Sequence, residues 1–341
     1  QQVYADEAFQ NRQDIRFVVA ISLQKVSRLL FHNCHNLQLV FMPQVHTISN
    51  GYWTEPQHFG AFSGTSLKSF SFPQLKVVGD CAFSGCPLGK LQSQMLPKCE
   101  EMGRFAFCSS HVEFVELRNT IKINNGTFQE CKSLKTVVFQ QLEQVPENAF
   151  KNCQVLTTAE TPLLKVIMKS GFENCGFKSL KFPKLEQIEA LSLANCRNLR
   201  FASFPILRKL GSLSISQDTK LQILQIPKAW VVHLDGCSGL QIIRCPESAS
   251  FRCQGCAYGN WCPVCSKLLR GCIRKGEVLG RFEEENKKFE KGFGSFEERA
   301  VGFRVTIRCQ YHMIWNIQRQ LESLSELDRH IVCAMEEKAL Q

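Results

Sequence analysis

The segment Ala149-Phe150-Lys-Asn-Cys153 decides the fold, because the chain returns to the same phrase at almost constant intervals. The cysteines that close successive phrases, beginning at Cys131, follow one another after 22, 22 and 21 residues. A repeat of constant length is the sequence signature of a solenoid, in which each unit forms one coil. The other full copies are Ala82-Phe83-Ser-Gly-Cys86, Thr127-Phe128-Gln-Glu-Cys131, Gly171-Phe172-Glu-Asn-Cys175 and Ser192-Leu193-Ala-Asn-Cys196.

The repeat extends in both directions when the last position is allowed to change. Thr, Ser or Asp replaces the anchor cysteine in three of these copies, and Ala8-Phe9 fits the same phase. Together with a shortened unit at Cys237, the sequence predicts about eleven units. The further copies are Leu30-Phe31-His-Asn-Cys34, which keeps the cysteine, and Ala61-Phe62-Ser-Gly-Thr65, Ala106-Phe107-Cys-Ser-Ser110 and Ser214-Ile215-Ser-Gln-Asp218, which replace it.

A short apolar strand is predicted after each anchor. Leu134, Val137 and Phe139 show the order L-x-x-L-x-L, which suits one strand of a parallel sheet with alternate side chains in a narrow core. Proline has no N–H and a fixed φ, so a proline just after the apolar run should end the strand. Such prolines are Pro43, Pro73, Pro162, Pro183, Pro205, Pro227 and Pro246.

The composite unit A-F-x-x-C-x-x-L-x-x-V-x-F-P-x-L-x-x-I resembles the BspA-like class of leucine-rich repeats, over roughly residues 3 to 247. This resemblance implies a curved or nearly straight solenoid with one short parallel strand per unit of ~22 residues, frequently a surface or secreted adhesion protein and not an enzyme. The chain departs from the pattern at an insertion around 51–58, predicted to be a loop, and after Glu247.

Three regions are therefore predicted. Residues 1–247 form the solenoid, 248–275 a cysteine-rich C-terminal cap, and 276–341 a charged linker with a helical tail. The tail helix is suggested by Ile317, Leu324 and Ile331, which recur at heptad spacing.

The anchor cysteines and the later cysteines are interpreted differently. The seven anchors, from Cys34 to Cys237, are most simply a ladder of buried thiols, which is favoured over disulfides or metal ligation. The pairs Cys253/Cys256 and Cys262/Cys265 match the spacing of zinc knuckles, although two disulfides fit equally well. A structural zinc is thus the one cofactor that the sequence suggests.

The outward positions of the strands form a candidate binding face, because a solenoid joins them into one surface. Apolar side chains on this face would act as anchors for a protein or glycan partner, but they could equally reflect strand propensity or be covered by residues that precede them. The candidate contacts are Phe17, Leu39, Phe41, Phe114, Phe201, Ile223 and Ile242.

Composition narrows the class of function. The formal net charge of +10 comes from scattered residues, so no specific nucleic-acid binding is predicted. No apolar run reaches the ~18 residues of a membrane span, no secretion leader is recognised, and no catalytic constellation is found. The prediction is a non-enzymatic binding or adhesion protein, with a cell-surface or extracellular location favoured by the resemblance and the oligomeric state left open.

Two alternatives remain at this point. The first is an intracellular scaffold or regulator with a structural zinc knuckle. The second is a thiol oxidoreductase at Trp261-Cys262-Pro-Val-Cys265, which needs a helix start within an α/β fold that the neighbouring sequence does not suggest.

Overall fold

A computed structural model describes residues 4–54, 57–218, 220–229, 231–233, 237, 242–244 and 250–252. For 231–233, 242–244 and 250–252 the description is limited to the backbone. The predicted boundaries at 247/248 and 275/276, the cysteine-rich cap and the helical tail all lie outside the described residues and stay predictions.

Each coil contributes one strand of three or four residues to the first side of the solenoid, directly after the anchor position. These strands form three separate sheets, and within each sheet neighbouring strands pair in parallel and in register, so that Phe17, Leu39 and Ser69 are neighbours across three coils. Within the described residues they are β1 (Phe17–Val19), β3 (Leu39–Phe41), β7 (Ser69–Ser71), β9 (Lys90–Gln92), β11 (Phe114–Leu117), β13 (Thr136–Phe139), β15 (Thr158–Glu160), β17 (Ser179–Lys181), β19 (Phe201–Ser203), β21 (Ile223–Gln225) and β23 (Ile242–Arg244).

A second, shorter strand stands on the other side of most coils. Neighbouring short strands also pair in parallel. In each two-residue strand the second residue is buried, as Val26 and Ile48 are. They are β2 (Lys25–Val26), β4 (Thr47–Ile48), β8 (Val77–Val78), β10 (Glu101–Met102), β12 (Lys122–Ile123), β14 (Gln144–Val145), β16 (Val166–Ile167), β18 (Gln187–Ile188) and β20 (Lys209–Leu210), followed by the paired β22 (Val231–His233) and β24 (Ser250–Arg252).

The core is a continuous stack of phenylalanine rings, one from each successive unit. Neighbouring rings lie 5.1–5.5 Å apart between centroids and within 11° of parallel, an offset stacking that aromatic pairs prefer. The repeated phenylalanine of the sequence phrase is therefore the element that joins one coil to the next. The stack comprises Phe9, Phe31, Phe62, Phe83, Phe107, Phe128, Phe150 and Phe172.

The turn before each anchor requires a left-handed backbone. Asn152 and Asn174 have φ of 64° and 57°, and Gly85 has 73° at the equivalent place. Asn and Gly tolerate this conformation better than other residues, because the Asn side chain is short and polar and glycine has no Cβ. This explains why Asn or Gly so often precedes the anchor in the repeated phrase.

The predicted leucine-rich-repeat solenoid is confirmed. The prediction of a loop for the insertion at 51–58 was wrong. The insertion is not a loop but an antiparallel hairpin of β5 (Tyr52–Thr54) and β6 (Gln57–Phe59). The rings of Tyr52 and Phe59 face each other across it, with centroids 4.8 Å apart. Such cross-strand aromatic pairs stabilise a short hairpin.

Candidate binding surface

The outer face is defined here as the first and third residues of the longer strands, whose side chains point away from the core. The middle residue is buried in β1, β3 and β7, while both of its neighbours remain partly exposed. Because paired strands are in register within each of the three sheets, these outward residues form two rows on each sheet. The first row reads Phe17, Leu39 and Ser69, then Lys90, Phe114, Thr136 and Thr158, then Ser179, Phe201, Ile223 and Ile242.

Four apolar residues meet at the N-terminal end of the outer face. Phe17 pairs with Leu39 and Val19 pairs with Phe41, and all four side chains are partly exposed. This set is named the apolar block. Contiguous exposed apolar surface is uncommon on a folded protein unless it binds something, whereas single exposed apolar residues need no explanation.

Phe201 requires a correction, because it does not present an exposed ring. It lies in the row between Ser179 and Ile223, yet only 4% of it is exposed. The ammonium of Lys181 stands over the ring, with Nζ 5.7 Å from the centroid. Phe201 is thus a packing residue, while Phe114 and Ile223 remain partly exposed and the side chain of Ile242 lies outside the described residues.

The predicted set of outward residues lacked one strand of the outer face, the strand Lys90–Gln92. Lys90 and Gln92 of β9 pair with Phe114 and Glu116 of β11, and so bring further polar groups to the middle of both rows. The unit ends in a Met-Leu-Pro segment instead of the usual Phe-Pro, which hid its strand. The spacing of Leu88 and Leu91 was the signal that remained.

The anchor thiols form a ladder between coils. Each anchor thiol is buried, and its Sγ is placed to donate to the carbonyl oxygen of the residue at the stack position one coil earlier, which is Ile215 for Cys237 and a phenylalanine for the others. Sulfur is a weak donor, so each bond adds little beyond packing. The Sγ···O distances are 3.0 Å for Cys34, 3.1 Å for Cys86 and Cys131, 3.2 Å for Cys153 and Cys175, 3.4 Å for Cys196 and 3.3 Å for Cys237.

These thiols are poorly suited to chemistry. Burial raises the pKa of the Cys86 thiol to about 12 and that of Cys34 to about 11, and it raises the pKa of Cys175 further. The nucleophile and metal ligand is the thiolate, which a raised pKa suppresses. The interpretation of the ladder as structural thiols is supported, since the described cysteines from Cys34 to Cys196 form no disulfide and are buried.

One anchor carries a carboxyl group. Asp218 is fully buried, and neither carboxyl oxygen has a hydrogen-bond partner among the described residues. Burial raises the pKa of this carboxyl to about 8, because the charged form loses its hydration.

The candidate zinc or disulfide residues Cys253, Cys256, Cys262 and Cys265 lie outside the described residues. Within the described part, no group of three or more His, Cys, Asp or Glu side chains is arranged to hold a metal ion. Nor does any helix there have the length and apolar character needed to cross a membrane.

The repeated part of the sequence matches a known protein family. The family profile described as a BspA type leucine rich repeat region, with six copies, matches residues 58–175 and 165–250. The chain belongs to the BspA-type leucine-rich-repeat family. In this BspA-type chain the repeated Phe residues form the ring stack, and the repeated Cys residues form the thiol ladder.

Solved structures agree with the fold. A leucine-rich repeat protein from Bacteroides ovatus is 21% identical, with a TM-score of 0.59 over 74% of this chain and 67% of that chain. Two other structures are less similar. A leucine-rich repeat protein from T. pallidum is 21% identical, with a TM-score of 0.39 over 41% of this chain and 72% of that chain. A leucine rich cell surface protein from Faecalibacterium prausnitzii is 11% identical, with a TM-score of 0.35 over 67% of this chain and 87% of that chain. No curated protein sequence matches the chain.

Proposed function

We propose that this BspA-type protein is a binding or adhesion protein that uses the outer face of its solenoid to contact a protein or glycan partner. The apolar block carries the proposal. Phe17 and Phe41 are partly exposed large rings next to aliphatic side chains, and polar residues such as Ser69 and Ser71 adjoin them. Apolar anchors beside polar groups are typical of the centre and rim of a binding interface.

Binding is favoured over catalysis by the chemistry of the described residues. The described cysteines are buried, and burial raises the pKa of the Cys86 thiol to about 12, which suppresses the nucleophilic thiolate. A solenoid offers its partner an extended surface assembled from many coils.

The test compares two substitutions at neighbouring positions of the same row. Phe41 and Ser71 are register partners on β3 and β7, so an aspartate introduced at either one occupies the same row of the face. The full chain, immobilised and screened against panels of extracellular proteins and of oligosaccharides, supplies the partner. Phe41→Asp is expected to weaken binding at least ~30-fold, which corresponds to the ~2 kcal/mol of an interface hot spot.

Ser71→Asp is the matched control and should weaken the same binding by less than ~3-fold, as a rim substitution does. Both variants must stay folded, with urea midpoints that correspond to a loss of less than about 1 kcal/mol relative to the unchanged protein. Equal affinity of Phe41→Asp and the unchanged chain for every partner found would exclude the apolar block as the contact surface.

We also propose a cell-surface or extracellular location, which the family membership supports. The alternatives of an intracellular scaffold with zinc and a thiol oxidoreductase concern Cys253, Cys256, Cys262 and Cys265. Free thiols and zinc should be counted in denatured, unreduced protein from its native source. Oxidised cysteines without zinc support the extracellular location, whereas free thiols with about one zinc per chain support the scaffold.

A further inference from the structure

Charged residues of neighbouring coils pair with one another in the first part of the solenoid. The N–H of Lys135 donates to the carbonyl oxygen of Glu113, and the ammonium of Lys135 lies 2.8 Å from the Glu113 carboxylate. Two further pairs join successive coils, Lys122 with Glu101 at 2.6 Å and Lys165 with Glu143 at 2.8 Å. Within the described part of the chain, every ion pair lies before residue 174.

The next coils, residues 176–229, carry an excess of positive charge. Residues 1–175 hold 16 Lys and Arg against 14 Asp and Glu, whereas 176–229 hold nine against three. None of these nine cations forms an ion pair with a described residue. The three acids do not balance them at the surface of the longer strands, since Asp218 is buried and Glu186 and Glu189 flank the short strand β18 on the other side of the coil.

Two of the cations are direct neighbours on adjacent coils. The N–H of Arg200 donates to the carbonyl oxygen of Lys178 at 2.9 Å, the same backbone contact that joins Lys135 to Glu113 in earlier coils. The side chains of Lys178 and Arg200 are both exposed and both positive. A cation therefore stands where the earlier coil places a carboxylate.

Two further cations adjoin this pair. The ammonium of Lys220 donates to the side-chain oxygen of Asn198 at 3.2 Å, two residues before Arg200. The ammonium of Lys181 stands over the ring of Phe201, the residue that follows Arg200. The four exposed cations are named the basic corner, which comprises Lys178, Lys181, Arg200 and Lys220.

The basic corner is unfavourable for the fold itself. Like charges at neighbouring positions of adjacent strands repel each other and destabilise a sheet. The side chains of Lys178 and Arg200 make no hydrogen bond or ion pair with a described residue that would offset this repulsion. A partner that brings negative charge to the corner would offset it and would be attracted by it.

The surroundings of the basic corner distinguish between classes of anion. Single-stranded nucleic acid stacks its bases on open aromatic rings, but Phe201 is 4% exposed and lies beneath Lys181. Well-exposed large apolar side chains, which insert into a membrane surface, all lie before residue 156 in the described part of the chain. The side chains next to the corner are polar instead, with Ser179 partly exposed and Gln222 exposed. A polymer that carries both anionic groups and hydroxyl groups matches these surroundings.

We propose that the basic corner binds a linear sulfated polysaccharide. Arg200 holds a sulfate through two parallel N–H donors, as guanidinium groups hold carboxylates and phosphates, and the lysines act as point charges. Ser179 and Gln222 offer hydrogen bonds to sugar hydroxyl groups. Adjacent strands stand about 4.8 Å apart, so three successive coils present the charges along a line that an extended polymer follows.

This assignment rests on the proposed binding function and names a class of partner for one part of the outer face. The basic corner adjoins β17, β19 and β21, whereas the apolar block lies on β1 and β3. The two surfaces therefore belong to different sheets, and each can be removed without the other.

Calorimetric binding of a heparin octasaccharide to the full chain, over a range of NaCl concentrations, tests the assignment. Lys178→Gln/Arg200→Gln is expected to weaken the affinity at least ~10-fold and to reduce the slope of log K against log[NaCl] by about 2, one for each lost contact. The desulfated octasaccharide should bind at least ~10-fold more weakly than the sulfated one, because it releases fewer counterions. Both substitutions are at exposed positions, and an unchanged urea midpoint checks that the variant is folded.

Lys68→Gln/Lys76→Gln is the matched control, because it removes the same net charge from exposed residues of an earlier coil, and Lys68 also stands directly before a longer strand. This control should change the affinity for heparin less than ~2-fold, and so should Phe41→Asp, because charges many coils away are screened. The Phe41→Asp result separates failure of this site from failure of the apolar block.

Two results would overturn the assignment. The first is heparin binding that is absent, or that Lys178→Gln/Arg200→Gln leaves unchanged. The second is an affinity for a polyglutamate peptide that depends on Lys178 and Arg200 and equals or exceeds the affinity for heparin, an outcome that assigns the corner to an acidic protein.

Discussion

The thiol of Cys153 lies 3.2 Å from the carbonyl oxygen of Phe128, across the boundary between two coils. The same oxygen accepts the backbone N–H of Cys131 at 3.3 Å within its own turn. The two donors together use both lone pairs of a buried carbonyl, which would otherwise lie unsatisfied next to the ring stack. The repeated cysteine therefore links coils as well as filling space.

Removal of the hydrogen bond from the Cys153 thiol should lower the stability of the protein by a measurable amount. Cys153→Ala deletes the sulfur atom and its hydrogen bond in a fully buried site, and we expect it to lower the free energy of unfolding by about 1–2 kcal/mol. Cys153→Ser should cost less, because Ser110 occupies the same position in another coil with its hydroxyl 3.4 Å from Cys131 Sγ. Urea unfolding of both variants measures the difference. An alanine variant as stable as the unchanged chain would show that the thiol only fills space.

The ladder should resist alkylation in the folded protein. With a pKa of about 12, only about 10⁻⁴ of the Cys86 thiol is ionised at pH 8, and the group is also shielded from reagent. Peptide mass spectrometry after brief iodoacetamide treatment is expected to find Cys86 and Cys131 unmodified in native protein and modified in urea. Rapid native labelling of either peptide would contradict the buried ladder.

The repeat was sufficient to predict the coil and most of the longer strands, because one phrase fixes the same inward positions in each unit that carries it, but the strand Lys90–Gln92 was missed where the phrase is altered. The structure of the insertion was not predictable in this way. Residues 51–60 have no counterpart in other units, and their conformation depends on contacts with Asp80, Cys81 and Phe105 of later coils. The Tyr52/Phe59 pair was the local signal for a hairpin.

Alternation along a strand predicts the side of the sheet, but it does not predict exposure. Phe17 and Phe201 occupy equivalent positions, yet Phe17 is partly exposed and Phe201 is buried. The ammonium of Lys181, on the adjacent strand, stands over the Phe201 ring. Side chains on adjacent coils decide which outward residues a partner can reach.

Phe201 and Phe41 should respond differently to the same substitution. Phe201→Asp places an unpaired charge in a site that is 4% exposed, so we expect a loss of stability of about 2–4 kcal/mol. Phe41→Asp stands at a partly exposed position and should cost less than about 1 kcal/mol. Urea midpoints of the two variants compare them directly. Equal losses would mean that Phe201 is as accessible as Phe41, against the burial described here.

Asp218 should make the stability of the protein depend on pH. Its pKa is about 8 in the folded chain against 3.8 for an exposed carboxyl, so between these values the folded state holds a proton that the unfolded state has released. Stability therefore falls as pH rises from about 4 to 8 and levels off above that, with a total loss on the order of 5 kcal/mol if no local rearrangement hydrates the carboxylate.

Asp218→Cys restores the residue found at most other anchors, and burial raises the pKa of the Cys86 thiol to about 12, so a buried thiol at position 218 should stay neutral across this range. The variant is expected to gain stability over the unchanged protein at pH 8 and to lose that advantage near pH 4. Ser110→Cys, a neutral exchange at the same position of another coil, is the control and should show no such pH dependence. Urea unfolding at pH 4, 6 and 8 measures all three proteins. Parallel stability curves for Asp218→Cys and the unchanged chain would mean that the Asp218 carboxyl is hydrated or paired in the folded protein.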